Sequence, residues 1–236
     1  MITICGVQVN AICKGNGKTS IVLLHGWGQN YYMMKFIQDY FSEQFTVLNM
    51  DLPGFGESEE PKDVWNIDKY ADFLHEVIQY FDLNDVILIA HSFGARIALK
   101  YSLRYPVKKM LLTGAAGIQP KRGMSYWIKV KTYKFLKTLS LAPTMGSNDY
   151  RNASEVMRGI LVAGVEENLL PILKDIDVET LLVWGEKDVE TPLWMGKEME
   201  TRMQNASLVI LKQEGHFAYF HCSMQFLRIA EVYLKE

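Results

Sequence analysis

The chain has 236 residues, 49% hydrophobic and 22% charged, with a formal net charge of −2. Such a composition excludes a disordered chain, and the absence of a basic balance argues against nucleic-acid binding. No apolar run approaches the roughly 18 residues of a membrane span, and the N-terminus lacks the basic-then-apolar pattern of a secretory leader. Three widely spaced cysteines, Cys5, Cys13 and Cys222, make neither a disulfide framework nor a metal cluster and suit a reducing compartment. The expectation is a cytoplasmic protein with a single domain over 1–236, holding no metal and no cofactor.

In chain order, residues 2–14 alternate loosely and break at Lys14-Gly15-Asn16-Gly17-Lys18, a hairpin-like turn signal. Ile21-Val22-Leu23-Leu24 is a continuous apolar run, as in a strand buried on both faces, and Phe45–Met50 is another. Ile67, Tyr70, Ala71, Leu74, Val77, Ile78 and Phe81 recur at helical spacing, with Asn66 as N-cap and Asp68 in the first turn. Val86–Ala90 predicts a strand, Phe93–Arg104 a helix, and Lys109–Thr113, Thr180–Trp184 and Leu208–Leu211 further strands. Helices fit 192–203 and 223–235. Regular alternation of strands and helices implies a mostly parallel sheet covered on both faces. The alternation is interrupted between Gly117 and Pro171, where 125–141 and 153–164 read as helices. This insertion, about 118–171, is expected to form a small helical cap over the C-terminal edge of the sheet.

Two glycine patterns are decoys. Gly17-Lys18-Thr19 resembles the end of a phosphate-binding loop, but Ile12 stands where the first glycine is needed, and a strand follows instead of a helix. Gly54-Phe55-Gly56 lacks the third glycine of a dinucleotide fingerprint and leads into an acidic loop.

Chemistry concentrates at the ends of the expected strands. In Ala90-His91-Ser92-Phe93-Gly94 a serine lies on the turn from strand to helix, flanked by small residues that let the two elements pack closely. The bland alternative is an N-cap serine. A serine hydroxyl needs a base. Among five histidines, His216 follows the last strand in a loop. His221 is its competitor, His75 falls within a helix, His25 looks loop-shaping, and His91 adjoins the serine but points elsewhere. The base needs a carboxylate to fix its tautomer. Asp188, after the strand 180–184, is the first candidate and Glu186 the alternative, while Asp51 suits a structural role. Backbone N–H groups of Trp27, in His25-Gly26-Trp27-Gly28, and of Phe93 are the natural oxyanion donors. The Trp27 side chain could wall the acyl or alcohol pocket.

The order oxyanion loop, Ser92, Asp188, His216 resembles the α/β-hydrolase superfamily, whose triad runs Ser, Asp/Glu, His. The likeness covers nearly the whole chain and includes Asp51-Leu52-Pro53-Gly54-Phe55-Gly56-Glu57-Ser58 and Gly185-Glu186-Lys187-Asp188. Ala90 departs from the glycine usual in the family. Gly26-Trp27-Gly28 is similar to the pimeloyl-acyl-carrier-protein methyl ester esterases. The resemblance implies a serine hydrolase of carboxylic esters or thioesters, a carboxylesterase-like enzyme without metal or organic cofactor. A C–C bond hydrolase or a non-catalytic ligand receptor of the same fold are the alternatives. Ser92 argues against haloalkane dehalogenases and epoxide hydrolases, which carry Asp there.

Charge is segregated. Between Lys121 and Arg158 eight basic residues face two acidic ones, and Lys131, Lys134 and Lys137 are spaced for one helix face. This is either a solvated face or an attractor for an anionic substrate, an acidic carrier protein or an anionic membrane surface.

Overall fold

In a computed structural model, residues 1–119, 151 and 153–235 are described. The N-terminal stretch forms a two-stranded hairpin, β1 (Ile2–Ile4) with β2 (Val7–Val9), and then β3 (Ala11–Lys14). The Lys14–Lys18 segment does not close a hairpin, contrary to the turn signal. β3 pairs antiparallel with β5 (Thr46–Met50), and β5 separates it from β4 (Ser20–Leu24). The segment instead crosses the start of β5, where Thr46 donates its hydroxyl to the Gly17 carbonyl (2.8 Å) and its N–H to that of Thr19 (3.1 Å). No local pattern encodes that crossover, because both neighbours of β5 are continuous with plausible turns.

Six strands follow in parallel: β5, β4, β6 (Ile87–His91), β7 (Lys109–Thr113), β8 (Thr180–Gly185) and β9 (Ala206–Leu211), with β3 on the far edge. The strands from β4 to β8 are apolar on both sides because both sides are covered. Val22, Leu24, Leu88, Ala90, Leu112 and Trp184 pack with α2 (Ile67–Tyr80), α3 (Phe93–Ser102) and α5 (Leu193–Arg202). Their neighbours Ile21, Leu23, Ile87, Ile89, Leu111 and Val183 face the other way, onto α1 (Lys35–Phe41) and α6 (Ser223–Lys235). The expected doubly covered α/β sheet is therefore present.

Asn66 caps α2 as its sequence implies, its side chain accepting from the Lys69 N–H at 2.9 Å. Helix α1 has no such mark: it is seven residues long, and its N-cap, Met34, makes no side-chain bond. Of the two helices expected between Gly117 and Pro171, the second is present as α4 (Glu155–Glu166), capped by Ser154 and burying Met157 and Ile160. The helix expected over 125–141 and the Lys131, Lys134 and Lys137 stripe lie outside the described residues. Among the described residues no helix is long and apolar enough to cross a membrane.

Candidate active site

The parallel strands all point their C-terminal ends at one edge of the sheet, where loops of open α/β sheets gather their chemistry. β6 ends at His91 and α3 begins at Phe93, so Ser92 alone must make the turn. It does so with φ 49° and ψ −107°, a left-handed backbone that a non-glycine residue rarely adopts. Its N–H donates to Thr113 (3.1 Å), and its carbonyl accepts from Ala95 and Ala116 (3.1 and 3.2 Å), so three neighbouring segments hold it there. Gly94 explains the small residue after it: a Cβ at that position would lie 2.4 Å from the Leu24 carbonyl oxygen at the end of β4. Any larger residue would push α3 off the sheet and lower the serine.

His216 follows β9 and is buried, as is Asp188 after β8. His216 Nε2 lies 3.0 Å from Ser92 Oγ, and Nδ1 lies 2.8 Å from Asp188 Oδ2. An ionised carboxylate only accepts, so Nδ1 carries the proton and Nε2 is left to accept from the serine. Asp188 is itself tightly held. Its Oδ1 accepts from the N–H groups of Glu190 and Thr191 (both 2.9 Å), and the Thr191 hydroxyl lies 2.8 Å from Oδ2. Burial alone would raise its pKa. Hydrogen bonds from His216 and Thr191 outweigh that and hold the carboxyl below its ordinary value.

The competing residues lie elsewhere. Glu186 is exposed and accepts from the Gln213 N–H at 3.0 Å. His221 is exposed and sits 3.5 Å from Glu214. His75 stacks on Tyr105 with ring centroids 4.0 Å apart. Asp51 braces loops, accepting from the Tyr31 and Glu57 N–H groups and from Asn10 Nδ2. His25 does the same with a buried ring: Nδ1 donates to the Gly26 carbonyl (2.8 Å) and Nε2 accepts from the Leu52 N–H (2.9 Å). The loops after β4 and β5 are thus tied to each other.

Trp27 follows β4 and packs edge-on against Phe55 and Phe93, with centroids 4.9 and 5.3 Å away. Among the described residues neither the Trp27 nor the Phe93 N–H donates to a protein acceptor. The aromatic group makes an apolar wall beside the residue that follows Ser92.

Two neighbours of Ser92, His216 and Asp188 were not singled out from sequence, and a third, His91, was named only as adjoining the serine. Thr191 touches Asp188, the Gly114 carbonyl (3.1 Å) and His216 Nδ1 (3.2 Å). Its position three residues after Asp188 is the spacing of a side-chain-capped turn, which was the available signal. Glu190 places Oε2 at 3.5 Å from His216 Nε2. His91 is buried behind His216, with ring centroids 4.6 Å apart. Its Nδ1 donates to the Thr113 carbonyl at 3.0 Å. No sequence pattern specifies the last two contacts, because they depend on how three loops meet.

A family model described as "Alpha/beta hydrolase family" matches residues 21–228. The chain belongs to the alpha/beta hydrolase family. The family assignment agrees with relatives and folds alike. The AB hydrolase superfamily protein YisY of Bacillus subtilis is 27% identical, with 87% of each chain covered. A 2-hydroxy-6-oxo-6-phenylhexa-2,4-dienoate hydrolase of Comamonas testosteroni is 24% identical over 94% of this chain and 89% of its own. Among solved structures, an esterase from Exiguobacterium antarcticum superposes with a TM-score of 0.76 at 25% identity, covering 98% of this chain and 96% of that one.

Proposed function

We propose that the protein is a serine hydrolase that cleaves a carboxylic ester or thioester through an acyl-enzyme. The observation that carries this reading is the continuous chain from Ser92 Oγ through His216 to Asp188 on a strained strand-to-helix turn. Ser92 Oγ attacks the substrate carbonyl as His216 Nε2 takes its proton. The carbonyl oxygen becomes an oxyanion, and the N–H groups of Trp27 and Phe93 donate to it. His216 then gives the proton to the leaving oxygen or sulfur. Water, deprotonated by the same nitrogen, attacks the acyl-enzyme and frees Ser92. Asp188 keeps His216 in the required tautomer and stabilises its cation. The substrate is a small molecule, and the chemistry needs no metal or organic cofactor. Three free thiols, Cys5, Cys13 and Cys222, suit the reducing cytoplasm, to which we assign the protein.

A panel of p-nitrophenyl esters of graded acyl length tests the reaction class. Turnover supports the esterase. Covalent labelling without turnover would instead favour a receptor of the same fold. A second reading, hydrolysis of a C–C bond, draws on the likeness to the Comamonas testosteroni enzyme. Faster turnover of that enzyme's named substrate than of any ester would support it.

The choice of carboxylate has its own test. Asp188→Asn should keep the fold and lower kcat by about 10⁴-fold, the scale seen for the equivalent change in another triad. Glu186→Gln should stay near wild type. The reverse pattern would assign the acid to Glu186.

We further propose that the insertion at about 118–171 is a cap whose basic residues favour an anionic group on the acyl end of the substrate. An ester with a distal acyl carboxylate should then show a higher kcat/KM than its neutral isostere, with the advantage shrinking as salt rises. Changing Lys131, Lys134 and Lys137 to Glu should remove the advantage. Equal kcat/KM for the two esters at low salt would leave the stripe a solvated face.

A further inference from the structure

Glu190 is an unusual neighbour for a catalytic base. Its backbone is fixed, because its N–H donates to Asp188 Oδ1 at 2.9 Å. Its side chain is 60% exposed, yet Oε2 reaches to 3.5 Å from His216 Nε2, the nitrogen that also faces Ser92 Oγ. Asp188 occupies the other ring nitrogen, so the imidazole lies between a buried carboxylate and an exposed one. Among the described residues no lysine or arginine forms an ion pair with Glu190, and the neutral ring beside it offers only an unprotonated Nε2.

From the chemistry of the proposed reaction, Nε2 is also the atom that protonates the leaving group, so the leaving oxygen must come within hydrogen-bond distance of it. That requirement puts the leaving oxygen within about 6.5 Å of the Glu190 carboxylate oxygen, inside the range where unit charges interact in a partly desolvated site. The aromatic surface of the site is elsewhere: the rings of Trp27, Phe55 and Phe93 cluster beside the residue after Ser92, and we take it to receive the acyl half.

We propose that Glu190 selects the leaving group by charge, favouring esters of cationic alcohols and rejecting those of anionic ones. This rests on the serine-hydrolase reading and refines it by giving the two ends of the substrate different rules. The acyl end is left to the aromatic cluster and the cap. The alcohol end meets a carboxylate that stays in solvent and is free to turn from the ring to an incoming ammonium group.

The test compares three butanoyl esters: that of choline, that of the alcohol in which carbon replaces the quaternary nitrogen of choline, and that of glycolate. For the wild type, kcat/KM should fall in that order. Glu190→Gln should lower the ratio of cationic to neutral ester by about three- to tenfold and raise the ratio of anionic to neutral ester by a similar factor, allowing for the exposure of the carboxylate. Glu190→Lys should reverse the order. Opposite movement of the two ratios separates charge selection from a general lesion, which would lower all three rates together. The wild-type preference should also weaken between low salt and about 0.5 M. Ratios unchanged by Glu190→Gln, with all three esters still hydrolysed through Ser92, overturn the proposal and leave the hydrolase reading standing. Failure of the wild type to hydrolyse any ester overturns both.

Discussion

Ser92→Ala and His216→Ala should each reduce kcat for a p-nitrophenyl ester by roughly 10⁵- to 10⁶-fold, and the double variant should be scarcely worse than either single one. The reason is geometric. Ser92 Oγ and His216 Nε2 are 3.0 Å apart and share one proton, so removing either abolishes the same step. Additive losses would mean that the two groups act independently. If the Trp27 and Phe93 N–H groups form the oxyanion site we propose, the activity left in the variants should exceed the rate in water. Stopped assays over hours, with the Ser92→Ala protein checked for residual wild type, give the needed range.

A second large effect concerns stability against acid. His25 and His91 are fully buried, and burial is the main cause that lowers their pKa values to about 4 and about 3. For His25, the Gly26 carbonyl and Asp51 oppose the shift without reversing it; for His91, the nearby His216 adds to it. In the unfolded chain a histidine titrates near 6.5. Because the folded values lie below the unfolded one, the unfolded chain takes up the protons first as pH falls. Stability is therefore complete above about pH 6.5. It is lost progressively down to about 4 for His25 and about 3 for His91. Each histidine contributes a slope of up to about 1.4 kcal/mol per pH unit, so the pair approaches 2.7 kcal/mol per unit around pH 5. A domain stabilised by about 5–15 kcal/mol should then unfold cooperatively on mild acidification. Urea unfolding at several pH values measures the slope directly. His91→Asn, whose amide can still donate to the Thr113 carbonyl, should halve it whatever its effect on absolute stability. An unchanged slope in that variant would show that His91 takes up its proton in the folded state as readily as in the unfolded one.

The two effects connect through the same residues. His91 stays neutral behind His216, so His216 meets no second positive charge there at working pH. The ring packs the loop that follows β9 against the end of β6, and so helps to keep His216 within reach of Ser92. The burial that makes the fold acid-sensitive also keeps the site rigid.

Much of this was legible in the sequence, for physical reasons. Strands covered on both faces read as uninterrupted apolar runs, so Ile21–Leu24 and Lys109–Thr113 fall within a residue of β4 and β7. Helix α2 announces itself by a 3.6-residue apolar repeat and by Asn66. Ser92, Asp188 and His216 stood out because each lies at or shortly after a strand end in a chain whose strands run parallel, and such ends must converge. What was not legible depends on pairing and on contacts between loops. The place of β3 beside β5 follows from a crossover that leaves no periodic trace. Helix α1 is too short to establish a repeat and lacks a capping side chain. Thr191 and Glu190 matter only through distances set when the loops after β7, β8 and β9 come together.

The most direct test of the central claim is covalent. A fluorophosphonate reacts with an activated serine and leaves a stable adduct, so peptide mass mapping of the labelled protein reads out which hydroxyl is the nucleophile. The geometry predicts a single adduct on Ser92 in the wild type, formed far more slowly in His216→Ala and absent from Ser92→Ala. An adduct on another serine, or labelling that survives Ser92→Ala, would contradict it.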